Sequence, residues 1–168
     1  MANIEGTIFI ERPPGLVFDF VADERHEPAY NPQMVQVEKL TDGPVGVGTT
    51  YRAWMRSGTR TEEMLIETTR FDPPRIICSS TIPRNMTVHG TLEFSPEGEG
   101  TRMSWSWRLE PKGFLRMLRP VVDLLGRRQE KRIWTGLKGL LEGTTTDKVE
   151  EKTPNDSPEA LDDRSHGP

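Results

Sequence analysis

The chain has 168 residues, a length that fits one domain with a core of its own. Only 33% of the residues are hydrophobic, and the shortfall lies in residues 143–168, which are so rich in Pro, Asp, Glu, Ser and Thr that we expect a disordered acidic tail. This tail holds seven acids and three bases, and subtracting them from the 26 acids and 22 bases of the chain leaves 19 of each in residues 1–142, so the charge predicts no basic footprint for nucleic acid.

The first elements are a strand and one or two short helices. Residues Asn3–Glu11 are rich in β-branched and aromatic side chains and roughly alternate, which predicts a strand. A Pro-Pro pair ends it and suits the first turn of a helix, since proline has no N–H to leave unpaired there. Apolar residues then recur at helical spacing, which predicts a helix over Pro13–Ala22 and a short turn over His26–Tyr30.

Six further segments have strand character, separated by short runs of Gly, Pro, Asp and Ser. Short gaps of that composition favour antiparallel hairpins over crossovers. The predicted strands are Val35–Thr41, Thr49–Arg56, Thr61–Phe71, Arg75–Ile82, Asn85–Phe94 and Thr101–Leu109.

Alternation along the last strands predicts one wet face and one buried face, and the buried face needs a cover. The cover is predicted to be a long amphipathic helix that begins in regular form near Pro120 and ends at Gly143. Its apolar stripe consists of Leu118, Val122, Leu125, Ile133, Leu137 and Leu140.

Cys78 is the single cysteine, so the chain can form neither an internal disulfide nor a cysteine zinc cluster. The N-terminus lacks the pattern of a signal peptide, and no apolar run has the length of a membrane span. These features predict a cytoplasmic protein without a transmembrane segment.

The chain resembles the START/Bet v 1-like (SRPBCC) superfamily over about residues 2–142, and within it the bacterial polyketide cyclase/dehydrase and lipid-transport branch. The segments that carry the resemblance are IFIERPPGLVFDFVADERHEPAYNP, GPVGVGTTYRAWM, TTRFDPPRIICSST, TLEFSPEGEGTRMSWSWRLEP and RRQEKRIWTGLKGLLE. They are structural motifs rather than catalytic ones, so they specify a fold more closely than a function.

The resemblance implies an α+β helix-grip fold. In that fold a seven-stranded antiparallel sheet wraps around a long C-terminal helix, short helices follow the first strand, and a cavity lies between sheet and helix. Members bind lipids, sterols, hormones, quinones or polyketides, and a minority catalyse cyclisation or dehydration. The expected division is a helix-grip domain over residues 1–142 and a tail over residues 143–168.

Strand alternation and the implied cavity together give a set of expected ligand-binding residues. Met side chains suit a tolerant pocket because they are flexible and polarisable, Gly90 removes a side chain and could open volume, and two tryptophans form a broad apolar wall. The expected set is Tyr51, Met55, Met64, Ile66, Val88, Gly90, Leu92, Trp105 and Trp107. For each residue, ordinary core packing is the competing interpretation.

Polar candidates for the cavity are few. Tyr30 and Tyr51 each offer a hydroxyl, and alternation with Met64 and Ile66 turns Glu62 inward, where burial would raise its pKa. Alternation sends His89 to solvent. Three scattered histidines give no metal spacing, and no catalytic residue, metal or cofactor is predicted.

Three functions stay open on this basis. The first is a carrier or sensor that binds a hydrophobic small molecule without catalysis. The second is an enzyme of the cyclase or dehydratase type, which needs a titratable group on the cavity wall. The third is a protein-interaction module with a vestigial cavity, in which the tail or the basic faces of the long helix bind a partner. Contact between those basic faces and a membrane surface is disfavoured, since acids interrupt them.

Overall fold

The computed structural model describes residues 2–82, 86–111 and 119–143, and for residues 2, 86, 111 and 119–127 it describes the backbone. The predicted tail beyond 143 and the start of the helical stripe at Leu118 therefore lie outside the described residues. Seven strands and two α-helices follow one another in the predicted order: β1 Ala2–Ile10, α1 Pro14–Ala22, a 3₁₀ helix Glu24–Ala29, β2 Met34–Lys39, β3 Thr50–Ser57, β4 Arg60–Asp72, β5 Ile76–Ile82, β6 Met86–Glu97, β7 Gly100–Pro111 and α2 Arg119–Gly143.

The seven strands form a single antiparallel sheet in the order β1-β7-β6-β5-β4-β3-β2. Strands that follow one another from β2 to β7 pair as hairpins, as the short Gly- and Pro-containing gaps predict. The two edges belong to β1 and β2, so the chain crosses the whole sheet between them. That crossing is made by α1 and the 3₁₀ helix, which places these two elements beside the space that the curved sheet encloses.

The long helix α2 packs its apolar side against the inner face of the sheet. Ile133, Trp134, Leu137 and Leu141 are buried in one cluster with side chains of α1 and of strands β6 and β7. The predicted stripe is correct at Ile133 and Leu137, but Leu140 is 37% exposed and Leu141 takes the inward position. Val122 and Leu125 lie where only the backbone is described.

The C-terminal end of α2 is fixed to the corner that follows β1. Arg12 donates hydrogen bonds from Nε to the carbonyl oxygen of Leu141 at 3.0 Å and from its terminal nitrogen to that of Glu142 at 3.2 Å. Lys138 donates to the carbonyl oxygen of Phe9 at 2.8 Å and pairs with Glu142. Positive groups at the last carbonyls of a helix satisfy unpaired acceptors and complement its dipole, so this end of the helix is held firmly on β1.

Among the residues whose side chains are described, the buried apolar ones divide into three separate clusters. The largest joins α1, α2 and strands β1 and β5–β7. A second consists of Met34, Tyr51, Ala53, Met64 and Ile66 on strands β2–β4, and a third joins Ile4 to Leu109. A domain of this size usually has one contiguous core, so the division indicates a space between the clusters.

Candidate functional site

A cavity of about 430 Å³ lies where the three apolar clusters face one another. Its wall includes Ile4 and Leu109 of the smallest cluster, Met34 and Ile66 of the second, and Trp134 of the largest. Cavities of roughly 300–1,000 Å³ are typical of small-molecule sites. The interior between sheet and helix is therefore hollow enough to hold a ligand.

Most of the wall is apolar, and three methionines form one side of it. Met34, Met55 and Met64 come from neighbouring strands β2, β3 and β4. The register places Met34 opposite Met55 and Ala53 opposite Met64. Thioether side chains adapt to ligands of different outline, so this side of the cavity is suited to an apolar chain or ring of variable shape.

An aromatic wall lies on the helix side of the cavity. The ring of Trp134 stacks on Tyr30 with centroids 6.0 Å apart and on Trp107 with centroids 6.5 Å apart. All three residues line the cavity. Gly136 allows α2 to lie this close to Tyr30, since a Cβ at Gly136 would lie 2.7 Å from the carbonyl oxygen of Tyr30.

Two carboxyl groups, Glu24 and Glu27, line the cavity from the 3₁₀ helix. Residues three apart in a 3₁₀ helix lie on one side of it, and the two groups are near enough to share a hydrogen bond. Burial raises the pKa of Glu24 well above its ordinary value, and the neighbouring charge of Glu27 raises it further. Burial also raises the pKa of Glu27, against the opposing hydrogen bond that Asn31 Nδ2 donates to its Oε1 at 2.7 Å. One proton is therefore more easily held by this pair than by two separate surface carboxyls.

A third carboxyl group reaches the cavity from α2. Glu130 lines the wall, and its Oε2 accepts a hydrogen bond from Trp134 Nε1 at 2.9 Å. Burial raises the pKa of Glu130, while the indoles of Trp107 and Trp134 act in the opposite direction and the charge of Glu27 adds to the increase. Burial and these three carboxylates together raise the pKa of Tyr30 well above its ordinary value. The three carboxyl groups and the hydroxyl of Tyr30 thus form one electrostatically linked cluster on the cavity wall.

Six of the nine residues expected to bind a ligand line the cavity, and three do not. Those on the wall are Met55, Met64, Ile66, Val88, Leu92 and Trp107. Tyr51 is fully buried within the second apolar cluster instead, because the neighbouring side chains of Met34, Met64 and Ile66 close over it. Ligand contact by the six residues on the wall stays a prediction.

Gly90 and Trp105 are packing residues of the tryptophan wall. Gly90 pairs with Trp107 across β6 and β7, and the Trp107 ring fills the space that a side chain at Gly90 would occupy. The space that Gly90 leaves is therefore occupied by the Trp107 ring in this structure. Trp105 fills the corresponding space over Gly6 and packs against Trp134 with centroids 5.7 Å apart, so it supports the wall from behind.

The other polar candidates lie away from the cavity wall. Glu62 shares the inner side of β4 by alternation, but it stands near the hairpin end and is exposed. His89 is exposed as predicted, with Nε2 4.0 Å from Glu110. His26 lies on the outer side of the 3₁₀ helix, where its ring stacks on Phe20 and its Nδ1 lies 2.8 Å from the carbonyl oxygen of Phe20. No described group of three or more His, Cys, Asp or Glu side chains could hold a metal ion.

Sequence reasoning missed the carboxyl cluster. The segment from Glu24 to Asn31 has the composition of an exposed turn, and Glu130 interrupts a basic face of the long helix. Residue spacing could have indicated the cluster. Glu24 and Glu27 are three residues apart, which places them on one side of a 3₁₀ helix, and Glu130 and Trp134 are four residues apart, which places them on one side of an α-helix.

Comparison with known proteins agrees with this architecture. The family model described as polyketide cyclase / dehydrase and lipid transport matches residues 1–154. The structure of a START superfamily protein from Mycobacterium smegmatis superimposes with a TM-score of 0.75 at 14% identity, covering 86% of this chain and 99% of that one. A comparison with curated proteins finds no match.

Two further structures share the fold at low identity. The Zhui aromatase/cyclase from Streptomyces sp. R1128 has a TM-score of 0.73 at 16% identity and covers 85% of this chain and 94% of its own. The protein TTHA0849 from Thermus thermophilus also has a TM-score of 0.73, at 21% identity, and covers 85% and 99%.

The sheet, the gripping helix and the hollow between them define the helix-grip class of START/Bet v 1-like proteins. The chain belongs to the polyketide cyclase / dehydrase and lipid transport family. None of the helices in the described ranges is long and apolar enough to cross a membrane.

Proposed function

We propose that this protein binds a hydrophobic small molecule, such as a lipid or a polyketide, inside its cavity and acts as a carrier or sensor without catalysis. The observation that carries the proposal is the cavity of about 430 Å³ between otherwise separate apolar clusters. Burial of apolar ligand surface would supply most of the binding free energy. The family description, which includes lipid transport, supports the same assignment.

The wall chemistry favours an apolar ligand with one polar end. Methionine, isoleucine and tryptophan side chains line most of the cavity, while the carboxyl groups come from the 3₁₀ helix and α2. A ligand that filled the cavity would lie against the methionines along its apolar part. Its polar part would meet Glu24, Glu27 or Glu130, because an apolar group placed there would leave buried polar atoms without partners.

Binding can be tested with the neutral fluorescent probe N-phenylnaphthylamine. Trp107 and Trp134 line the cavity, so bound probe should quench tryptophan emission by energy transfer in a saturable way. Val88→Phe puts a larger side chain on the wall, and overpacking of about 1–3 kcal/mol predicts roughly tenfold weaker binding.

The matched control is Val35→Phe, the same substitution at a residue that is 48% exposed on β2. It should bind the probe as the wild type does. Thermal unfolding of both variants checks that they fold. Linear, non-saturable quenching by the wild type, or equal affinity for both variants, would contradict binding in the cavity.

A second candidate function is proton-transfer catalysis of the cyclase or dehydratase type. The observation that favours it is the Glu24–Glu27 pair, since one carboxyl that is protonated beside one that is ionised provides an acid and a base on the same wall. The structurally similar Zhui protein is named as an aromatase/cyclase. Dehydration lowers the mass of a bound polyketide by one water, whereas cyclisation without loss of water leaves the mass unchanged and changes the retention time. Liquid chromatography with mass spectrometry of ligand recovered after incubation therefore decides between carrier and enzyme, since unchanged mass and unchanged retention time support the carrier.

A further inference from the structure

The charges on the described part of the cavity wall are all of one sign. Three glutamates line it, and none of the described lining residues is Lys, Arg or His. The cation nearest in sequence to the pair, Arg25, is bound to Asp23 at 2.6 Å, and its side chain is 55% exposed. A ligand that enters this cavity therefore meets negative charge that no described lining residue neutralises.

The Glu24–Glu27 pair has unused capacity to accept hydrogen bonds. An ionised carboxylate accepts at about four positions. Among the described residues, Asn31 is the one neutral side chain that donates to the pair, through a single bond of 2.7 Å to Glu27. The pair is thus under-supplied with described protein donors in a half-buried position on the cavity wall, where unpaired acceptors are costly.

One feature beside the pair also favours a cationic donor. The rings of Tyr30, Trp107 and Trp134 form the neighbouring wall. Aromatic rings attract cations to their faces, and they do not attract anions in the same way.

We propose that the polar end of the ligand is a protonated amine, which the carboxylates of Glu24 and Glu27 bind beside the aromatic wall, and that ligands ending in a carboxylate are discriminated against. An ammonium group supplies three donors and one positive charge. It therefore satisfies two carboxylates and removes their mutual repulsion in one step. A carboxylate would instead add further negative charge to the same wall. This inference rests on the proposed binding function and narrows it to one class of ligand.

The affinity for an amine should depend on pH. An ammonium binds the ionised form of the pair, so its affinity should rise as pH rises through the elevated pKa of these glutamates. A neutral ligand lacks this requirement. Asp23 and Asn31 act on the pair, and the charges of the pair act in turn on Tyr30, Tyr51 and Glu130.

The test uses three probes of equal chain length: decylamine, decanol and decanoate. Each is titrated at neutral pH against the full-length protein loaded with N-phenylnaphthylamine, and displacement of the probe is measured. A charge-assisted hydrogen bond predicts that decylamine binds about tenfold more tightly than decanoate. The double variant Glu24→Gln/Glu27→Gln should lose about tenfold in affinity for decylamine and little for decanol. The matched control, Glu62→Gln/Glu63→Gln, changes two adjacent exposed glutamates on β4 and should keep the wild-type order.

The wild-type protein provides an independent measurement if the double variant folds poorly. Its affinity for decylamine should rise between about pH 5 and about pH 8, a range in which the amine stays charged, whereas its affinity for decanol should stay level. Binding of decanoate as tight as that of decylamine, or a decylamine affinity that falls over this range, would overturn the inference and leave the proposed function intact. Failure of all three probes overturns it as well, and failure of N-phenylnaphthylamine too would overturn the proposed function.

Discussion

At the scale of single residues, the position of Trp107 depends on a glycine in the facing strand. The indole occupies the space over Gly90, so a Cβ at that position would overlap the ring. We expect Gly90→Ala to displace the indole and to lower the free energy of unfolding by about 1–3 kcal/mol, the usual cost of overpacking. Urea denaturation measures the loss, and tryptophan fluorescence reports the displacement.

A double-mutant cycle separates this contact from a general effect on the strand. Trp107→Phe provides a smaller ring, so Gly90→Ala should cost less in that background than in the wild type. Contacting residues commonly show coupling of about 0.5–3 kcal/mol. A coupling energy near zero would mean that Gly90 and Trp107 do not support each other as the structure indicates.

Alternation along strands predicted which residues point inward but could not predict which of them reach open space. Gly90 and Trp105 both face the interior, yet one is covered by a ring and the other lies behind Trp134. Glu24 and Glu27 were not predicted to reach the cavity, because polar residues in a short segment after a helix are typical of an exposed turn. Their position on a cavity wall is a tertiary feature, since Glu130 and Trp134 of α2, far along the chain, line the same cavity.

At the scale of elements, the approach of α2 to the segment around Tyr30 depends on two glycines that behave differently. A Cβ at Gly136 would lie 2.7 Å from the carbonyl oxygen of Tyr30, whereas one at Gly139 would have no atom within 4 Å. Gly136→Ala should therefore push the helix away and destabilise the protein by about 1–3 kcal/mol. Gly139→Ala, the same substitution one turn later, should stabilise it by up to about 1 kcal/mol because alanine favours the helix. Thermal unfolding of the two variants checks the opposite signs, and equal shifts would contradict the close approach.

Strand and helix order could be predicted almost completely, because turn residues mark nearly every boundary in this sequence. The phase of the long helix was harder. Leu140 and Leu141 are adjacent leucines, and periodicity alone favoured the one that proves 37% exposed. The helix is anchored at this end by Arg12 and Lys138 through backbone carbonyl groups, and such contacts leave no trace in a hydrophobic pattern.

At the scale of the whole molecule, the hollow between sheet and helix could be expected only from the family resemblance. A filled core and a cavity wall both require inward apolar residues, so the hydrophobic pattern of the sequence is the same in the two cases. The difference is in the volume that the helix leaves above the sheet, which follows from the combined packing of Trp105, Trp107 and Trp134. The three separate apolar clusters are the physical consequence.

The cavity carboxyls also determine how the stability of the whole protein depends on pH. Burial raises the folded-state pKa of Glu24, Glu27 and Glu130 above the ordinary value of 4.5. The folded state therefore holds these protons more tightly than the unfolded state. Their contribution to stability is fully present below about pH 4.5 and is lost as pH rises through the elevated folded values. Asp23, Glu97 and Glu142 have lowered pKa values, and the stability they contribute is lost only at still lower pH.

We therefore expect the ligand-free protein to unfold at a lower temperature at about pH 8 than at about pH 5.5. Each unit of pKa shift corresponds to about 1.4 kcal/mol, which is enough to move Tm by a few degrees. Glu24→Gln/Glu27→Gln removes two of the three charges without changing side-chain size. It should raise Tm at about pH 8 and flatten its pH dependence, whereas the exposed pair variant Glu62→Gln/Glu63→Gln should follow the wild type. Calorimetry across this range measures the difference between the two variants. If both variants depend on pH in the same way, Glu24 and Glu27 do not titrate in the cavity with raised pKa values, and the affinity for an amine should then stay level over the same pH range.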